Sequence, residues 1–354
     1  MKESMNALRM YAPYDFRLEK VPVPQISNGE ILIKVEAAGI CAGDVKTLHG
    51  GIRIWGTTPE NRYIQAPCIG GHEFYGEVVA IGDFVEGVSI GDRMISEQIV
   101  PCGTCEYCLS GNYWMCQKSD VYGFKNHLQG GFAEYMKFSK KGIHHKIPKN
   151  MTMEQAVLIE PFACSMHAVE RAKIRHNDVV VISGLGSIGL GMISIAASRS
   201  PKLLIGLDLR QKRLDMAKLF GADIVLNPLD TDVVKTIHEL TGGLGCDVYI
   251  EASGNEKSVN QGLESIRNLG RFVQFGVFPK AISADWNIIG DTKEIDILGS
   301  HLGPYCYAPV IKGIGNGSIK TEGVVSHSFS LSDWKQAFET AEKDETAIKV
   351  ALIP

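Results

Sequence analysis

This chain has little charge of either sign to spare: 36 Lys and Arg face 40 Asp and Glu across 354 residues, a net of −4. A near-balance of that kind gives no basic field for nucleic acid or an anionic membrane, and no stacking-aromatic pattern accompanies it. Internal repeats and low-complexity tracts are also missing. The first residues, MKESMNALRMYAPYDF, hold no apolar stretch of the secretory type. Nine cysteines make an odd count and are unevenly spaced. That argues against a secreted disulfide framework and predicts a reduced, cytoplasmic setting. One stretch, residues 179–198, runs long without any charge, which raises a membrane span. Four glycines and four serines suit a spanning helix poorly, and a buried strand followed by a helix explains the run better.

What is present changes character near Met153. Before it, residues 30–36 alternate apolar and charged side chains as a half-buried strand does, and 78–81, 132–138 and 142–147 read as further short strands. After it, residues 154–173 carry helical spacing, with Pro161 placed to kink or interrupt the helix. From Asp178 to about Ile295, strands at 179–182, 203–207, 224–226, 248–250 and 272–275 alternate with helices. Such alternation predicts a doubly wound parallel sheet, an α/β class. An amphipathic helix at 331–342 and a strand at 349–353 close the chain.

The uncharged run opens a nucleotide-binding pattern. Four β-branched residues lead into Gly184, Gly186 and Gly189 in GxGxxG spacing, with Ser187 and Ile188 between the last two, and a second strand ends on Asp208. The first glycine permits a tight turn, the second lets backbone approach a pyrophosphate, and the third lets helix and strand pack. Asp208 suits ribose hydroxyls and disfavours a 2′-phosphate, which predicts NAD; Arg210 is the residue that could favour NADP instead.

Two groups of residues suit metals. Cys102, Cys105, Cys108 and Cys116 fall on one short loop, and four thiolates can close a tetrahedron around zinc or hold an iron–sulfur cluster. The second group is dispersed: Cys41, His72 with Glu73, and Glu160. Each alone has an ordinary reading, as a core thiol, a surface pair and a helix start. Together they offer a thiolate, an imidazole and carboxylates, a set that can hold zinc and leave a position open. Asp44 could accept a hydrogen bond from the ligating imidazole and fix its tautomer. Cys68, Cys164, Cys246 and Cys306 read as packing thiols.

GICAGD at residues 39–44, GGHEFYGEVVAIG at 70–82, the four-cysteine loop and GLGSIG, in that order, resemble the zinc-dependent medium-chain dehydrogenases across essentially the whole chain. Glu160-Pro161 followed by Phe162-Ala163 resembles their sorbitol and threonine dehydrogenase branch. The resemblance implies a Rossmann domain beside a β-rich GroES-like catalytic domain. It places the catalytic domain at residues 1–158, the NAD-binding domain at 159–296 and a return to the catalytic domain at 297–354. It also implies two zinc ions per chain, a structural one on the four cysteines and a catalytic one at Cys41, His72 and a glutamate, with Glu73 and Glu160 both zinc-facing. Phe275, Gly276 and Val277 resemble the segment against the nicotinamide, Arg213 a residue near the adenosine ribose, and Lys349 a cation near the pyrophosphate.

The activity implied is reversible, NAD-linked oxidation of a polyol's secondary alcohol to the ketose, by a homodimer or homotetramer. Two positions depart from the branch. Gly43 stands where Ser or Thr usually relays the substrate proton, and residues 299–303 lack the arginine of sorbitol dehydrogenases. Both departures resemble dehydrogenases of shorter polyols such as erythritol or threitol. The alternatives are a threonine dehydrogenase of the same branch and a catalytically idle nucleotide-binding relative.

Overall fold

A computed structural model describes residues 2–354. The chain divides into two compact units: one runs to Glu160 and resumes at Val325–Pro354, and the other is Pro161–Val324.

The second unit is built on six parallel strands. Their spatial order is Ile224–Leu226, Leu203–Leu207, Val179–Ser183, Cys246–Glu251, Ile266–Gln274 and Asp296–Gly299. That is the third, second, first, fourth, fifth and sixth in chain order, the Rossmann arrangement, whose direction reverses beside Val179–Ser183. Every residue of Val179–Ser183 is buried, as expected of a central parallel strand covered on both faces. The helix Ser187–Ala197 buries Gly189 through Ala196, so the uncharged run is core and not a membrane segment. No helix among the described residues is long and apolar enough to cross a membrane.

One strand is longer than its sequence pattern, and one was not visible in it. The strand expected at 272–275 begins at Ile266, and Asp296–Gly299 pairs beside it with Phe272 opposite Ile297. Hydrogen bonding to that edge keeps residues beyond 297 in this unit, so the chain leaves it at Val325 and not at 297.

The first unit holds a seven-stranded sheet in which Glu73–Ile81, Ile31–Ile40 and Lys349–Ile353 are neighbours. Gly39 lies opposite Glu73, and Val350 lies opposite Ile40. This register brings residues 41, 73 and 349 to one end of three adjacent strands, although they are far apart in sequence. Beneath the sheet, Phe74, Phe132, Phe138, Trp334 and Phe338 belong to one buried apolar cluster. The helical stretch at 154–173 is two pieces, Met153–Ala156 and Ile159–Ala172. Pro161 sits in the first turn of the second piece, where its missing N–H costs nothing.

Candidate functional site

The strand Ile31–Ile40 runs directly into Cys41, which caps the short helix Ala42–Leu48. Asp44, buried in that helix's first turn, accepts a hydrogen bond from the Cys41 N–H on Oδ2 at 2.9 Å. Its Oδ1 lies 3.5 Å from His72 Nδ1, an atom with no hydrogen bond of its own. One carboxylate thus steadies the backbone of Cys41 and faces one nitrogen of His72, leaving Nε2 for a metal. Cys41, His72 and Glu73 each bring one donor atom, and these lie within 4.8 Å of one another. Burial alone would lower the pKa of His72, but Asp44 and Cys41 outweigh it and hold the pKa well above the usual range. A metal there takes the place of that proton.

Glu73 has a second partner. Lys349 Nζ donates to Glu73 Oε1 and Oε2 at 2.7 and 2.5 Å, and to the Ile40 carbonyl at 3.3 Å, with both side chains almost fully buried. Burial pulls the Lys349 pKa down, but Glu73, then Cys41 and Glu160, carry it above its ordinary value. Lys349, the residue that resembles a cation near the pyrophosphate, is here the counter-ion of Glu73, because its strand enters the sheet next to Ile31–Ile40. Gly39 makes room for this pair: a Cβ there would overlap Glu73 Oε2.

Glu160 is buried and lies outside the trio; its Oε1 accepts a hydrogen bond from Gln98 Nε2. Glu73 is therefore the carboxylate close enough to complete the donor set, with Glu160 behind it. Beside Cys41, a Cβ at Gly43 would lie 3.7 Å from the thiol and meet nothing else. The position is roomy but holds no hydroxyl. Phe124 packs its ring 5.5 Å from the His72 ring and Tyr63 stacks edge-on to Phe124, which gives the site an aromatic wall. Tyr122 and Trp55 are buried: the Tyr122 hydroxyl accepts from the Ser139 N–H, and Trp55 Nε1 donates to the Thr47 carbonyl.

The four-cysteine loop converges as its spacing predicts. Cys105 Sγ lies 3.6 Å from Cys108 Sγ and 3.7 Å from Cys116 Sγ, and Cys102 Sγ lies 3.9 Å from Cys108 Sγ. These are separations of ligands on one tetrahedral ion, and none of the nine cysteines is in a disulfide. Backbone and side-chain donors of Thr104 pull the Cys102 thiol down to about 5, so the metal-binding thiolate is favoured. Tyr113 on the same loop donates to the buried Glu97, which also meets His145 Nε2 at 3.1 Å, so His145 serves this loop and not a metal.

The second unit supplies the nucleotide turn. Gly184 has φ +96, and a Cβ there would press on the Ser253 N–H at 2.7 Å; one on Gly189 would overlap the Gly184 carbonyl. A Cβ on Gly186 would meet nothing within 4 Å, so the space before the helix Ser187–Ala197 is open. That open cradle at a helix N-terminus, with Ser187 and Ile188 in its first turn, fits a pyrophosphate. Asp208 Oδ2 accepts from the Leu185 N–H at 2.7 Å and Oδ1 from the Arg210 N–H at 3.0 Å. A carboxylate has about four acceptor positions, so capacity is left for ribose hydroxyls. Arg213 reaches within 3.7 Å of the same carboxylate.

At the other end of the sheet's switch point, the Phe275 and Gly276 N–H groups donate to the Glu251 carbonyl, and Val277 is exposed. The fully buried Glu251 carboxylate accepts from Ser253, Gly254 and Gln274 and so fixes the loops around this segment. Sequence reasoning passed over Glu251. Its one signal was its place at the end of the fourth strand, as Asp208 ends the second.

Known proteins share this construction. Residues 27–149 match the alcohol dehydrogenase GroES-like domain, and residues 187–314 match the zinc-binding dehydrogenase family. The erythritol/L-threitol dehydrogenase of Mycolicibacterium smegmatis is 44% identical over 99% of this chain and 98% of its own length. The L-threonine 3-dehydrogenase of Pyrococcus furiosus is 34% identical over the full length of both. A Sinorhizobium meliloti protein described as a zinc-binding dehydrogenase, solved bound to NADP, superposes with a TM-score of 0.90 over all of both chains at 27% identity.

Proposed function

The chain belongs to the zinc-dependent medium-chain dehydrogenases, in their sorbitol- and threonine-dehydrogenase-like branch, and on that premise we propose that it oxidises a secondary alcohol of a short polyol to the ketose with NAD as acceptor. The observation that carries the reading is the convergence of Cys41, His72 and Glu73 on one point, with Asp44 behind the imidazole. When bound, zinc supplies Lewis-acid polarisation of a hydroxyl, and NAD supplies a hydride acceptor. Cys41, His72 and Glu73 would hold the metal, with Asp44 setting the ring orientation of His72. Lys349 balances the buried carboxylate of Glu73. Glu160, held by Gln98, is the carboxylate left to receive the substrate proton in place of the hydroxyl that Gly43 lacks.

An erythritol- or threitol-sized substrate is favoured over threonine by the higher identity to the relative so named, and over a hexitol by the absence of arginine at residues 299–303. The cofactor preference rests on Asp208, whose charge opposes a 2′-phosphate. Arg210 and Arg213 pull the other way, as does the NADP-bound neighbour. The site works as a cytoplasmic enzyme of a homodimer or homotetramer in this reading.

NADH formation across C3 to C6 polyols and threonine, with zinc measured on the same sample, tests the proposal. Turnover is expected on the four-carbon polyols with two zinc ions per chain. Faster turnover of threonine would transfer the assignment to the amino alcohol, and a higher kcat/KM with NADP would overturn the role of Asp208. Full zinc with no turnover on any substrate would favour an idle relative.

A further inference from the structure

The second unit holds a third convergence of metal-ligating side chains, outside everything the dehydrogenase reaction uses. His167 and Glu170 stand three residues apart on the helix Ile159–Ala172, a spacing that puts both on one face. Cys306, immediately before the helix Tyr307–Gly315, meets them from the segment 300–306. One donor atom from each of the three lies within 4.8 Å of the others. The Cys306 Sγ to Glu170 Oε2 distance is 3.7 Å, the spacing seen between sulfurs in the four-cysteine loop. Two ligands of a tetrahedral zinc ion stand about 3.3–3.8 Å apart for bond lengths of 2.0–2.3 Å.

The segment that brings Cys306 is held tightly. A Cβ on Gly303 would press against the backbone of Ala163 and Cys164, so this segment lies directly on the helix. Leu302 and Tyr305 have φ of 56 and 61, a backbone that side chains seldom adopt. Arg171 Nε donates to the Gly299 carbonyl at 3.0 Å, tying the same segment at its start. His167 is buried, and His301 stands near enough to act on it electrostatically.

We propose that His167, Glu170 and Cys306 form a further metal site, which takes zinc or a similar borderline-soft divalent cation and pins residues 300–306 to the helix Ile159–Ala172. The donor set of one nitrogen, one oxygen and one sulfur matches zinc chemistry and leaves a fourth position for water or for His301. Binding displaces the thiol proton to solvent, so a thiolate and a carboxylate face the dication. The site stands whether or not the substrate is a polyol.

Cobalt(II) added to enzyme already holding two zinc ions per chain tests it directly. Filling the site adds one metal per chain, a rise from two to three, and produces thiolate-to-cobalt charge-transfer absorption that depends on Cys306. Cys306→Ala and His167→Gln should each keep the first two zinc ions and lose both the third equivalent and the absorption. The cation should also raise the Tm of the unaltered enzyme and leave that of both variants unchanged. A metal content that stays at two in the unaltered enzyme, or the same absorption in either variant, overturns the proposal.

Discussion

Two regions of the first unit gather metal ligands, and they do so in opposite ways. In the loop from Cys102 to Cys116, all four donors are sulfur, they lie close in sequence, and backbone N–H groups and Thr104 orient them. At Cys41, the donors are sulfur, nitrogen and oxygen, they come from the ends of two neighbouring strands, and charged partners steady them: Asp44 behind His72, Lys349 against Glu73. A loop that supplies four like ligands leaves no coordination position for chemistry, whereas a mixed set assembled by sheet register leaves one. The first site holds the fold of its loop. The second is the site proposed to react, and its charged partners offset the cost of burying a carboxylate and an imidazole side by side.

The sharpest way to break this comparison is to remove one ligand from each region. His72→Ala should bring turnover below detection while the protein keeps one zinc per chain and its folded circular dichroism spectrum. Cys105→Ser should do the reverse. It should lose the loop's zinc and, for a cost of about 3 kcal/mol, lower Tm by roughly 6–12 °C, with kcat/KM per folded molecule within a few fold of the original. Metal analysis, melting curves and steady-state rates on both proteins decide it; equal turnover in His72→Ala would end the catalytic assignment. A smaller effect tests the support and not the ligand. Asp44→Asn keeps the shape of the side chain but weakens its hold on His72, and should lower zinc affinity at Cys41 about 10–100-fold. Competition with a chelator would show that loss against an unchanged four-cysteine site. An unchanged affinity at the Cys41 site would mean that Asp44 serves the helix cap alone.

The same contrast explains what the sequence could disclose. The four-cysteine loop, the glycine turn and Asp208 are local patterns, and local geometry follows from local spacing. Cys41, His72 and Glu73 were visible as residue types in a familiar order. The pairing of Glu73 with Lys349 was not, because it spans 276 positions and depends on which strand inserts beside Ile31–Ile40. Gln98 beside Glu160 was hidden for a similar reason, since no spacing links a strand-end amide to a carboxylate 62 residues later. The sixth parallel strand, Asp296–Gly299, went unseen because its exposed edge position removes the apolar run that marks its neighbours. The nearness of Cys306 to His167 and Glu170 was hidden in the same way, since it depends on where the segment 300–306 lies against their helix.

Within one sheet, His144 offers the mildest test of the idea that partners and not burial alone set the state of a buried imidazole. His72 has a carboxylate behind it, and Asp44 with Cys41 holds its pKa well above the usual range against the effect of burial. His144 has none: its Nε2 donates to the Ser139 carbonyl at 3.0 Å, its Nδ1 accepts from Ser96 Oγ at 3.0 Å, and its ring stacks on Phe138. Burial therefore wins, and its pKa falls from 6.5 to about 4. Between those values the unfolded chain binds the proton and the folded one does not. The stability due to His144 is then complete above its unfolded pKa and is lost as pH falls toward the folded value. Linkage puts the loss at about 2 kcal/mol between pH 7 and pH 5. His144→Gln keeps both hydrogen bonds without a titrating group, so urea midpoints measured across that range should fall less steeply in the variant than in the original protein. Parallel slopes would mean that His144 takes up its proton at the same pH in the folded and unfolded chains, so that burial does not set its state.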